Sequence, residues 1–129
     1  MNTHASRNSQ LGLLYLSHLL IGADGSADLK EFQALSKIRE KESIPDSIFK
    51  EFEAAVGGKN EREIYKAGME LINSCTDEEK LNAFSHLYKL SEIDGRVHVK
   101  EIRLLLYTIK NARIEFNDVV AQAKTLSDY

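Results

Sequence analysis

The residues with a potential for chemistry fall in two short stretches. They are Ala23–Glu31, reading ADGSADLKE, and Ile93–Glu101, reading IDGRVHVKE. In each, an Asp is followed directly by Gly, and a Glu stands seven residues after the Asp. Asp24, Glu31, Asp94 and Glu101 are the acidic side chains of this doubled pattern, with Asp28 and His98 adjacent to them. Carboxylates are hard oxygen donors of the kind that suit Ca²⁺, Mg²⁺ or Mn²⁺, and an imidazole such as that of His98 would admit Zn²⁺ or another transition metal. A structural role is the competing reading. Asp at a helix end bonds nearby backbone N–H groups and favours the following helix through its dipole, with no metal needed. An EF-hand is excluded, because its loop places Gly sixth, whereas here Gly follows the first Asp.

No other residue set competes with these. His18 and His86 lie within apolar helical stretches and are expected at the edge of the core, while His4 sits in a short N-terminal segment, residues 1–7, expected to be flexible. Cys75 is the single cysteine, so it has no partner for an internal disulfide or a paired-cysteine metal site, and it is expected to be a small buried hydrophobe. The chain contains no HExxH, phosphate-binding loop or dinucleotide fingerprint, and nothing identifies a nucleophile with its base. The charged run Lys37–Glu42 reads as a solvated helix end.

Helices must carry the two acidic stretches. Apolar residues recur at helical spacing nearly everywhere, and no stretch alternates for long as a strand would. A first helix is expected from about Asn8 to Gly22, apolar around much of its girth and therefore central. A second begins at Asp28, with Leu29, Phe32, Leu35 and Ile38 on one side, and ends by Glu42. Pro45 suits the first position of a third helix, which Gly57 and Gly58 are expected to end in a left-handed turn. Asn60 is read as the cap of a fourth. Thr76 and Glu79 form a capping box for a fifth, carrying Leu81, Phe84, Leu87 and Leu90. A sixth starts near His98 with Val99, Ile102, Leu105, Leu106 and Ile109 as its apolar residues, and a seventh spans about Glu115 to Leu126. The expected fold is a compact all-α bundle in one domain spanning residues 1–129.

Advancing the sequence by 70 residues places Leu11 on Leu81, Leu20 on Leu90, Asp24 on Asp94, Gly25 on Gly95, Lys30 on Lys100, Glu31 on Glu101 and Leu35 on Leu105. Each copy is an apolar helix, an Asp-Gly turn and an amphipathic helix. One such hairpin alone leaves an apolar face uncovered, so two are expected to pack about a pseudo-twofold axis.

The doubled motif resembles the TerB-like family, an all-helical fold that includes tellurite-resistance TerB and the N-terminal domain of the DjlA co-chaperones. The family pattern is a small residue, Asp-Gly, an apolar residue, a capping Ser or Thr, and a Glu three further on. DGRVHVKE fits except at His98, which stands at the capping position, and the first copy has only Ala27 at the apolar position. The resemblance implies a module of a bacterial stress or tellurite-resistance-type system. It also implies protein partners and acidic turns close enough to chelate a divalent metal through Asp24, Glu31, Asp94 and Glu101.

Composition narrows the classes further. Of 129 residues, 17 are Lys or Arg and 20 are Asp or Glu, a net charge of −3 that offers no footprint for nucleic acid. The longest apolar stretch, Leu11 to Ala23, is shorter than the roughly 20 residues a membrane span requires. Neither a cleavage pattern nor a basic leader accompanies it, so a cytoplasmic location is expected. The expectation is a non-enzymatic interaction scaffold. The alternative is a metal-dependent hydrolase in which the carboxylate-bound ion activates water.

Overall fold

A computed structural model of the chain describes residues 6–22, 28–91 and 99–126. Its described residues form seven helices and no strand: α1 Arg7–Gly22, α2 Asp28–Glu42, α3 Asp46–Val56, α4 Glu61–Asn73, α5 Asp77–Ser91, α6 Val99–Asn111 and α7 Phe116–Ala123. The all-α expectation holds, and the boundaries fall within a few residues of those read from the sequence. No helix among the described residues is long and apolar enough to cross a membrane.

Apolar girth puts α1 at the centre. Leu11, Leu13, Leu14, Tyr15, Leu16, Leu19 and Leu20 are all buried, and α1 packs on α2, α3, α4, α5 and α6. The second hub is α5, whose Phe84 and Leu87 are buried and which packs on α1, α6 and α7. Each such side chain contributes about 1.5–3 kcal/mol by leaving water, so these two helices hold the bundle together. Phe52 of α3 closes one side, its ring 5.9 Å from Tyr15, 6.0 Å from His18 and 5.7 Å from Phe49.

α1 meets α4 at two glycines. A Cβ on Gly12 would stand 2.8 Å from Ile72 Cγ1 and 3.3 Å from the Gly68 carbonyl oxygen. One on Gly68 would stand 3.1 Å from Tyr15 Cβ. Glycine is required at this crossing for its lack of bulk, which lets two backbones approach.

Helix ends follow local chemistry, with one correction. Asn60 accepts from the Glu63 N–H at 2.9 Å, while the Glu63 carboxylate accepts from the Asn60 N–H at 3.1 Å. Gly57 and Gly58, however, do not make a left-handed turn. Gly57 has φ −64°, and the N–H groups of Gly57, Gly58 and Lys59 simply continue a right-handed turn onto Glu53, Ala55 and Val56. Among the described residues, Ser43 (φ 52°) and Arg113 (φ 61°) are left-handed instead. At the end of α2, Ser43 N–H donates to Glu40 O and Ile44 N–H to Arg39 O. At the end of α6, Arg113 N–H donates to Lys110 O and Ile114 N–H to Ile109 O. Both are Schellman ends, in which orphan carbonyls are satisfied and the next apolar residue packs inward.

Those two ends are 70 residues apart, and so are other boundaries. Arg7 and Asp77 open α1 and α5, and Asp46 and Phe116 open α3 and α7. The 70-residue spacing thus recurs at the start of a third helix in each half. The expected superposition of the two hairpins depends on residues 23–27 and 92–98, which lie outside the described residues.

Candidate functional site

The acidic stretches fall at the two helix connections α1–α2 and α5–α6. Asp24, Asp94 and His98 lie outside the described residues. Asp28 opens α2, Glu31 stands in its first turn, and Glu101 stands in the first turn of α6, placed by their backbones alone. Among the described residues no group of three His, Cys, Asp or Glu side chains could hold a metal ion. The four nominated carboxylates match a hard divalent cation by donor chemistry.

The described residues contain two polar nodes. In the first, Ser6 caps α1: its Oγ accepts from the Ser9 N–H at 3.2 Å and its carbonyl from the Gln10 N–H at 3.0 Å. Thr76 caps α5 identically, its Oγ1 accepting from the Glu79 N–H at 3.1 Å and its carbonyl from the Lys80 N–H at 2.9 Å. The two caps are again 70 residues apart, and one carboxylate joins them. Glu79 Oε1 accepts from the Thr76 N–H at 3.1 Å and Oε2 from the Ser6 N–H at 2.9 Å. Hydrogen bonds from the Thr76 backbone and from Ser6 hold the Glu79 carboxyl below its ordinary range. Beside them, Cys75 is partly buried and its thiol donates to Leu71 O at 3.3 Å. Burial pushes that thiol up from its ordinary range.

The second node is the end of α2 against α5. Glu42 accepts from Asn82 Nδ2 at 2.6 Å, and its Oε2 lies 3.3 Å from His86 Nε2. Gln10 of α1 donates to the Glu42 carbonyl oxygen at 3.1 Å. His86 is only 2% exposed, deeper than the core-edge position expected for it, whereas His18 is half-buried against Phe52. The charged end of α2 is thus partly turned inward rather than fully solvated. His86 thus ties the end of α2 to α5. The buried hydroxyls are likewise engaged locally: Ser17 donates to Leu13 O, Ser85 to Leu81 O and Thr108 to Leu105 O.

The outer surface is uneven. Leu106, grouped with the apolar residues of α6, is 43% exposed, because the inward stripe of α6 runs through Leu105 and Ile109 and leaves Leu106 on its flank. Tyr107 and Phe116, at 57% and 39%, complete the large apolar side chains exposed among the described residues. All three lie on α6 and the start of α7. No signal in the sequence separates them from core residues, since only packing decides which side of an apolar helix is covered.

The chain matches no protein-family model, no curated protein and no solved structure.

Proposed function

We propose that this chain is a TerB-like module of a bacterial stress-response system of the tellurite-resistance type, acting as an interaction scaffold for protein partners rather than as an enzyme. In the same reading, Asp24, Glu31, Asp94 and Glu101 hold a divalent metal ion between the two acidic turns. The observation that carries it is the doubled motif, DGSADLKE and DGRVHVKE, in a helical repeat whose caps and Schellman ends also recur at 70 residues. Fold alone does not select a function, so the reading stands on the motif and its doubling.

The experiment is metal analysis of the purified protein together with thermal unfolding in Mg²⁺, Ca²⁺, Mn²⁺ and Zn²⁺. An ion that binds only the folded state stabilises it by about 2.7 kcal/mol at a hundredfold excess over Kd. Replacing Asp24 and Asp94 together with Asn abolishes that gain. Without ion, the same change is neutral or stabilising, because gathered carboxylates repel. A flat response to every ion, with the double variant destabilised, overturns the metal assignment and leaves Asp24 and Asp94 as turn-forming residues.

A further inference from the structure

The exposed apolar side chains of α6 and α7 coincide with cations that the other described residues leave unpaired. Arg103, Leu106, Tyr107 and Lys110 follow the spacing of one face of α6, and all four are exposed. On one flank, a cleft of about 420 Å³ opens between Leu106, Ile114 and Phe116, with Lys110 and Arg113 beside it. On the other, Tyr107 stacks on Tyr65 of α4 at 5.7 Å, and Asn111 donates to the Tyr65 hydroxyl at 2.7 Å. There a second cleft, of about 370 Å³, is lined by Arg62, Lys66 and Met69. None of Arg62, Lys66, Arg103, Lys110 and Arg113 pairs with a carboxylate among the described residues. By contrast, Arg7 pairs with Glu51 and Arg39 with Asp46. Glu70 and Glu115 line the same clefts, so five cations stand against two carboxylates, a local positive surplus around an aromatic and aliphatic ridge in a chain of net charge −3.

We propose that the face built by α4, α6 and the start of α7 docks an acidic amphipathic helix of a partner protein, its apolar side chains entering the clefts and its carboxylates meeting the five cations. This rests on the reading of the chain as an interaction module and does not depend on metal. A helix laid along α6 reads the ridge with its own i, i+3, i+4 and i+7 side chains, the usual mode of groove recognition. Charge complementarity selects an acidic partner and speeds its encounter. Nucleic acid fits less well, because Met69, Leu106, Ile109 and Ile114 line the clefts with aliphatic surface, which suits apolar side chains of a helix rather than stacked bases.

The test titrates the isotope-labelled chain with a synthetic helical peptide of about sixteen residues, Leu and Phe on one face and Glu on the other. A scrambled peptide of the same composition, a Lys-for-Glu peptide, anionic phospholipid vesicles and a single-stranded oligonucleotide are run beside it, and sedimentation measures self-association. The expected result is saturable binding of the Glu peptide alone, with amide shifts confined to α4, α6 and the start of α7. Binding weakens about tenfold or more in the Lys110→Glu, Arg113→Glu double variant and weakens with salt. The Lys37→Glu, Lys50→Glu pair, which reverses exposed cations on α2 and α3, leaves it unchanged. A Leu106→Ala variant tests the apolar contact without altering charge, and it too weakens binding. Peptide shifts on another face overturn this assignment while leaving the interaction-module reading standing. Preferred binding of vesicles, the oligonucleotide, the Lys peptide or a second copy of the chain overturns the acidic-helix occupant. Absence of binding by every probe overturns the docking face and withdraws support from the module reading as well.

Discussion

Replacing Gly12 with alanine probes the packing that brings α1 and α4 together. An Ala at a helix interior gains about 1 kcal/mol over Gly from backbone entropy, so local propensity alone predicts a more stable protein. The tertiary structure predicts the opposite sign. The new Cβ would lie 2.8 Å from Ile72 Cγ1, 2.9 Å from Ile72 Cδ1 and 3.3 Å from the Gly68 carbonyl oxygen. Ile72 is itself fully buried among core side chains, and the carbonyl belongs to the facing helix backbone. Overpacking of this kind costs about 1–3 kcal/mol, and these contacts sit towards the upper end. After the propensity gain is subtracted, a net loss of about 1–2 kcal/mol remains. With a urea slope near 1.5 kcal/mol/M, the unfolding midpoint falls by about 0.7–1.3 M. Gly58→Ala serves as the control, since nothing lies within 4 Å of the Cβ it adds, and its midpoint holds or rises. A double-mutant cycle locates the cause. Ile72→Ala alone opens a cavity costing about 2–5 kcal/mol, and the methyl that Gly12→Ala adds partly refills it. The double variant is therefore less destabilised than the sum of the singles by about 0.5 kcal/mol or more. A midpoint raised by Gly12→Ala, or a strictly additive cycle, refutes the close approach.

Other perturbations read the helix ends. Ser43→Gly and Arg113→Gly relieve left-handed residues that carry side chains, so each raises the urea midpoint, by about 0.5–1 kcal/mol in stability; lowered midpoints would show that these ends are not left-handed. Glu79 has its folded pKa lowered by hydrogen bonds from Thr76 and Ser6. Its contribution to stability is present above the ordinary glutamate pKa and disappears as pH falls through the lowered folded value. Glu79→Gln therefore flattens the acid limb of stability against pH, and parallel curves for variant and parent would refute the shared cap.

Features that depend on residues close together in the chain were legible before any fold was known. Seven helices, the cap at Asn60, the capping box at Thr76, and the central place of α1 follow from apolar spacing and from side chains that bond backbone three residues away. The Asp-Gly motif and its 70-residue recurrence, which carry the candidate site and the TerB-like resemblance, are also read from the residue order alone. Local rules failed where two conformations are locally allowed. Gly57 and Gly58 tolerate a left-handed turn but continue right-handed, while Ser43 and Arg113 adopt one because Ile44 and Ile114 gain packing by it. The remainder emerged only with packing, because it depends on which surfaces meet. Gly12 looked like any helical glycine until Ile72 and Gly68 crossed it. Glu79 was legible as the cap of α5, but its second oxygen reaches Ser6, 73 positions away. Glu42 belonged to a charged run until α5 brought His86 and Asn82 against it. Leu106 and Leu105 are chemically identical neighbours; one is buried and the other exposed because the bundle covers only one side of α6.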